Sequence, residues 1–451
     1  MPVRGAEHAV TIAHPQHADG DLSHAVLLSA LGGQPQPQTD GGSAGDMTST
    51  AKAGGPGRQP RVPQASRLGT LEFKLYYLVY LVVVPSMAYT AYQASSPARP
   101  EYAAYESELS PGWMLGRKVD LTDGQWHTFR QHLPAFAAAM LAYVLLNWVA
   151  RRATRHRAGG GALPSLWFPG VFATAFVVVL SGASIVFIAA LVAGNYALAK
   201  RAAGRRWAPW AVWAYNIAVL FANEYGDGYS FGHIHPALAW LDAHRGVLRR
   251  WDVTFNITML RMVSFAMDYH WSKLQQKQQG APASPPREQS ARDRIERSCA
   301  ESEYCFVNYW AYLLYPPLYM TGPIITFNDF VAQMRRPALP SGRSTALYGV
   351  RLAASFLVME LMLHTVHCVA VGKLDRWDGF SVYEISMMGY LRLTFIWLKL
   401  LVIWRFARFW AMADGLETVE NMRRCMSNNY SLQQFWRDWH CSYNRWLVRY
   451  V

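Results

Sequence analysis

The chain has 451 residues, of which 52% are hydrophobic, 14% aromatic and 16% charged, with a formal net charge of +13. So few charges among so many apolar and aromatic residues exclude an ordinary water-soluble domain, and several windows approach the roughly 20 apolar residues of a membrane-crossing helix. The positive charge does not point to nucleic acid, because Lys and Arg crowd the edges of apolar segments: Arg151-Arg152 to Arg157, Lys200-Arg201 to Arg206, and Arg249-Arg250. That is the positive-inside pattern, with attraction to anionic lipid heads. Five cysteines, Cys299, Cys305, Cys368, Cys425 and Cys441, show no CxxC spacing, and their odd number fits no closed disulfide framework.

Residues 1–67 are rich in Gly, Ala, Pro, Gln, His and Ser, a composition that predicts a disordered polar tail with no signal peptide. The remainder, 68–451, reads as one helical membrane domain. Its first span is 71–94, followed by a polar loop of balanced charge suited to the lumenal side, and then a span over 133–150 that ends in the Arg151–Arg157 cluster.

The apolar stretch 166–199 is about 34 residues, roughly 50 Å as one helix. Two readings stand: a broken pair of short helices returning to the cytosol, hinged at Gly182, or one long tilted helix. A span over 207–223 follows, then a turn-rich loop with His233 and His235, read as surface groups. The apolar segment 253–271 carries Asn256, Arg261 and Asp268. Residues 272–302 form a charged, Pro-containing segment expected to be a mobile linker. Segment 304–327 holds Pro316-Pro317 and Gly322-Pro323, backbone tolerated at membrane depth only when buried or lining a cavity. Clean spans are expected over 348–371 and 387–404, giving about seven to nine membrane segments.

Chemistry concentrates in two places. Glu360, His364 and His367 share one helix face and could hold a metal, although hydrogen bonds to helix neighbours are the simpler reading, and no metal is assigned. In Phe435-Trp-Arg-Asp-Trp-His440, the imidazole lies among Trp436, Trp439, Tyr443 and Trp446, interleaved with Arg437, Arg445 and Arg449. A neutral imidazole held among aromatics can serve as general base or orienting group; an aromatic-basic helix at the membrane surface is the alternative on spacing alone.

That segment, with Asn444-Arg-Trp-Leu-Val-Arg-Tyr450, resembles the signature of the membrane-bound O-acyltransferase (MBOAT) superfamily. Pro111–Asp120, Phe255–Tyr269 and Tyr309–Ile325 are similar to the Gup (glycerol-uptake) branch of fungi, related to Hedgehog acyltransferase. The resemblance runs over about 70–451. It implies an all-α, multi-pass bundle in the endoplasmic reticulum that moves a fatty acyl chain from acyl-CoA, a co-substrate and not a cofactor, to a lipid acceptor, above all a lyso-GPI anchor. It makes His440 catalytic and Asn444, Trp436, Arg437, Arg261 and Asn256 candidates for the substrate cavity, with Arg261 facing CoA phosphate. The partners implied are membrane lipids, acyl-CoA and a lipid or lipid-anchored acceptor, with no nucleic acid. The resemblance also implies a second histidine some 30 to 40 residues beyond His440, whereas eleven residues follow it here. The expectation is therefore a chain incomplete at its C-terminus, and the alternatives are a non-catalytic homologue or regulator and a glycerol transporter.

Overall fold

The computed structural model describes residues 67–157, 166–226, 228–248, 250–279, 290–335 and 342–451. The expected polar tail thus lies outside the described residues except at Arg67. The chain divides into two units, Met1–Ser86 and Met87–Val451. In the first, a short turn at Arg67–Gly69 leads into helix α1 (Leu71–Ala94), which begins in that unit and ends in the second, and whose bounds match the span read from sequence. All further contacts described are within the second unit.

After a loop of short 3-10 turns come α2 (Gly124–Arg157), α3 (Trp167–Ser181), α4 (Ile185–Ala202), α5 (Ala208–Tyr225), the short α6 (Phe231–Ile234), α7 (Trp251–Gln279) and α8 (Ala291–Glu296). Then follow α9 (Phe306–Leu313), α10 (Pro316–Tyr319), α11 (Phe327–Arg335), α12 (Gly342–Thr365), α13 (Cys368–Leu374), α14 (Val382–Ala413), α15 (Leu432–Asp438) and α16 (Cys441–Tyr450). The described residues are all-α, with one isolated bridge between Ser110 and Val119. Among the described residues, five stretches are long and apolar enough to cross a membrane: Leu71–Ala94, Gly124–Ala153, Trp167–Ala202, Gly342–Thr365 and Val382–Ala413. The protein is a multi-pass membrane protein.

Trp167–Ala202 does not cross as a single rod. Gly170 approaches Ala311 and Thr174 accepts from Trp310 Nε1 at 2.8 Å, while Tyr196 stacks on Tyr309 and Asn195 donates to the Tyr309 hydroxyl at 2.8 Å. Both ends of the stretch therefore meet one turn of α9. A straight helix would hold positions 170 and 196 roughly 39 Å apart. The stretch folds back at Gly182 into an acute hairpin, the first of the two readings.

The fold at Gly182 follows from local backbone chemistry. Gly182 has φ +58° and ψ −138°, a conformation almost confined to glycine. The amides and carbonyls freed by the break are met by an inserted strand of backbone: Ala183 N donates to His244 O (2.9 Å), Val247 N to Val179 O (3.1 Å) and Leu248 N to Leu180 O (2.8 Å). Gly246 permits that approach, since a Cβ there would lie 2.3 Å from Leu180 backbone. Inside a bilayer no water can satisfy such groups, so the hairpin tip and the 244–248 segment complete each other.

The hairpin sets the frame for its neighbours. Asn216 donates to Asn195 Oδ1 (2.9 Å), Asn223 donates to Asn256 Oδ1 (3.1 Å), and the Gly204 amide donates to His270 Nδ1 (3.1 Å). With Phe187 stacked on Trp251, these pairings set α5 antiparallel to both α4 and α7. Lipid offers helices no hydrophobic reason to associate, so buried amide pairs and close packing hold such a trio together. The basic clusters at Arg151 and at Lys200–Arg206 fall on one side of the bundle, and the hairpin tip with 226–250 on the other.

One expected span and one expected linker differ from the sequence reading. The expected span 348–371 breaks after Thr365, where His367 leaves the helix and α13 restarts at Cys368. Asp120 forces the break: its Oδ2 accepts from the Val369 and Ala370 amides (3.1 and 2.8 Å), capping α13 from another element. The expected linker 272–302 is helical to Gln279, with α8 inside it. Arg294 pairs with Asp329 (2.8 Å) and Arg335 with Glu303 (2.7 Å), fixing its second half to α11. A lone helix cannot supply those charges, which come from residues far along the chain.

Candidate functional site

The last three elements build the site around His440. Helix α14 ends at Asp414, whose buried carboxylate receives Asn147 Nδ2 (2.6 Å) and the hydroxyls of Tyr143 and Tyr315, with Arg151 alongside at 3.4 Å. The chain then turns through polar residues to α15, capped by Ser431 accepting from the Gln434 amide. Trp439 and His440 alone separate α15 from α16. In that short connection His440 takes φ +48° and ψ +54°, a left-handed conformation that histidine tolerates better than most side chains.

Helix α16 is anchored by its apolar-aromatic face and one buried ion pair. Trp446 Nε1 donates to Leu260 O (2.9 Å), and Tyr450 OH donates to Asp268 Oδ1 (3.0 Å) and meets Ser264 Oγ at 2.7 Å. Arg449 donates to Asp268 at 2.9 Å. At the other end, Asn421 accepts from the first helical amides through its carbonyl (Cys441 N, 3.0 Å) and its Oδ1 (Ser442 N, 3.1 Å). Ser442 Oγ in turn accepts from Ile324 N (2.9 Å), tying α16 to the Gly322-Pro323 bend.

These anchors aim the His440 ring at α14. It stacks on Trp404 with centroids 4.5 Å apart at 21°, and its other neighbour is Tyr443 at 5.6 Å and 25°. Among the described residues no hydrogen bond to the imidazole is seen; stacking alone orients it. Burial lowers its pKa to about 4, so the ring is neutral at physiological pH and both nitrogens are available, one as donor and one as acceptor.

The other residues singled out from sequence do not all gather here. Asn444, half-buried one turn along α16, donates its amide to His440 O. Trp436 is exposed and packs edge-on against Phe435, and exposed Arg437 uses its carbonyl to accept from Cys441 Sγ. Asn256 belongs to the Asn223 pair on α7. Arg261 is 1% exposed, with Nη1 donating to Leu313 O (2.8 Å) and Nη2 to Leu318 O, so its guanidinium closes the ends of α9 and α10. Asp268 pairs with Arg449, not with Arg261. Sequence reasoning missed Trp404, Asn421 and the Asp268–Arg449 pair. The two helical turns between Asp268 and Arg261 hinted that this carboxylate needed a cation from elsewhere.

The Glu360, His364 and His367 face serves separate partners. Glu360 accepts from Arg130 through both oxygens (2.8 and 2.9 Å) and from Trp113 Nε1 (2.8 Å). His364 donates Nδ1 to Glu360 O (2.6 Å) and accepts the Trp113 amide at Nε2 (3.2 Å), and His367 Nε2 donates to Lys118 O (3.3 Å). The face pins the 95–123 loop onto α12. Among the described residues, no group of three metal-ligating side chains converges.

Comparison with known proteins points the same way. Residues 242–451 match the family described as MBOAT, membrane-bound O-acyltransferase family. The chain is 41% identical to the Membrane-bound O-acyltransferase GUP1 of Saccharomyces cerevisiae, over 85% of this chain and 69% of that protein. It is 34% identical to the Membrane-bound O-acyltransferase gup1 of Schizosaccharomyces pombe, over 86% of this chain and 68% of the relative. A more distant likeness, 27% identity over 31% of this chain and 29% of the relative, is to the Protein-cysteine N-palmitoyltransferase HHAT of Mus musculus.

Proposed function

The chain belongs to the membrane-bound O-acyltransferase family, in the Gup branch related to Hedgehog acyltransferase, and from that premise we propose that it acylates a lyso-GPI lipid with a fatty chain from acyl-CoA in the endoplasmic-reticulum membrane. The observation that carries the reading is the neutral His440 ring, free of hydrogen-bond partners among the described residues and stacked on a spanning helix. An acceptor hydroxyl needs a hydrogen-bond acceptor as its oxygen attacks, and the thioester carbonyl needs a donor as charge gathers on its oxygen. A neutral imidazole meets either need, and here its orientation is already set. In the reaction the acceptor O–H and the thioester C–S bonds break, an ester bond forms, and the released proton ends on the CoA thiol.

The test is acyl transfer by membranes carrying the protein, supplied with radiolabelled palmitoyl-CoA and lyso-GPI lipid. Labelled GPI should form, and His440→Ala should abolish it while the protein still inserts. No transfer by the unaltered protein would overturn the proposal in favour of a non-catalytic homologue. Transfer to a different lipid acceptor would retain the chemistry and correct the substrate.

A further inference from the structure

The segment 231–248 has two faces of unlike character. Phe231, Leu241 and Leu248 turn inward against the core, Phe231 stacking on Phe187 at 4.3 Å. Ile234 (64% exposed), Leu238 and Trp240 (62% exposed) turn outward, beside exposed His233, His235 and His244. The segment is not a loose loop. Asp242 accepts from Ser230 Oγ (2.9 Å), the Phe231 amide (2.9 Å) and the Gly232 amide (2.8 Å), closing it into a tight helical hairpin. Its end, 244–248, is the backbone that completes the break at Gly182.

Those contacts fix where the outward face lies. Exposed Val178, Val179 and Val186 flank the tip of the α3–α4 hairpin, and Phe221 and Tyr225 end α5 beside it. On apolar membrane-crossing helices such side chains meet lipid, and exposed Ile234, Leu238 and Trp240 belong to the segment whose end, 244–248, is bonded to that tip. Trp and His next to aliphatic side chains suit the boundary between headgroups and acyl chains.

We propose that residues 231–248 are a membrane-inserted wedge: a helical hairpin lying in the interfacial zone of the leaflet opposite the basic clusters, with Ile234, Leu238 and Trp240 among the lipids. Its partner is the bilayer, and its anchorage is the backbone junction with Gly182.

Site-directed spin labelling tests this in the protein reconstituted into phosphatidylcholine vesicles. A nitroxide is attached at Trp240→Cys, and separately at Leu238→Cys in case the first variant fails to fold, with Cys299, Cys305 and Cys425 changed to Ser. Collision with oxygen should exceed collision with a water-soluble nickel chelate severalfold at either position. A label at Glu296→Cys, on the exposed face of α8, should show the reverse. Equal or greater collision with the chelate at 238 and 240 would place the segment in water and overturn the wedge. Low collision with both reagents and an immobilised spectrum would assign the face to a protein partner or a second copy, and would overturn it equally.

Discussion

Replacing Gly182 by Ala should cost this protein far more than a methyl group suggests. The new Cβ would lie 2.1 Å from His244 O and 2.6 Å from Gly246 N, both backbone atoms that cannot swing away. Holding a non-glycine residue at φ +58° and ψ −138° costs about 1–3 kcal/mol. Relieving the clash means withdrawing 244–248, which breaks three backbone hydrogen bonds worth roughly 0.5–1.5 kcal/mol each, and more where no water replaces them. The total is roughly 2.5–7.5 kcal/mol, measured as the loss of unfolding free energy in mixed micelles titrated with denaturing detergent, with Ser184→Ala as control. Gly246→Ala breaks the same junction from the other side, so the double variant should be little worse than the more damaging single one. A Gly182→Ala cost below about 1 kcal/mol, or strictly additive costs, would refute the junction as described.

Three further outcomes follow from the site and its supports. Trp404→Ala should lower acyl transfer about three- to tenfold through kcat with little change in KM, since a ring pair is worth about 0.5–1.5 kcal/mol, and Trp404→Phe should keep most of it; normal transfer by Trp404→Ala beside an inactive His440→Ala would show that stacking does not orient the ring. Glu360→Ala leaves the Arg130 cation without its buried partner and should destabilise by about 3–5 kcal/mol, while EDTA leaves thermal unfolding unchanged; a fall in melting temperature on chelation would restore the metal reading. The Asp242 carboxyl is held below its usual pKa by the Gly232 and Phe231 amides and by Ser230. Its depressed folded-state pKa means the latch is present above the ordinary carboxylate range and is lost only as pH falls through the lowered value, so proteolysis of 231–248 should stay constant from neutral pH down to about 4 and rise below it, whereas Asp242→Asn should be cleaved readily at every pH.

Much of the helical architecture was legible because apolar length is a local signal. Residues 71–94 needed nothing but their own hydrophobicity, and Gly182 in an overlong apolar run offered a hinge as one of two readings. What escaped was set by distant partners. The break at Val366-His367 depends on Asp120, and order in 290–303 depends on Asp329 and Arg335, neither visible from the segment itself. At the site, the aromatic spacing by itself read as a helix at the membrane surface, and the family resemblance singled out His440. Its stacking partner Trp404 looked like one more tryptophan in a span, and Arg261 drew attention as a buried cation although helix-end carbonyls are what it serves.

The hairpin at Gly182 also governs bookkeeping of sidedness during synthesis. A stretch as apolar as Trp167–Ala202 would ordinarily be threaded as one crossing, and each later segment would then emerge on the wrong face. Because the stretch enters and leaves by the same face, it contributes an even number to the parity of the chain. The Arg151 cluster and Lys200–Arg206 can both stay on one face, and α5 and α7 acquire the orientations that bring Leu260, Ser264 and Asp268 to the last helix. The turn at one glycine thus sets the direction in which every later helix runs.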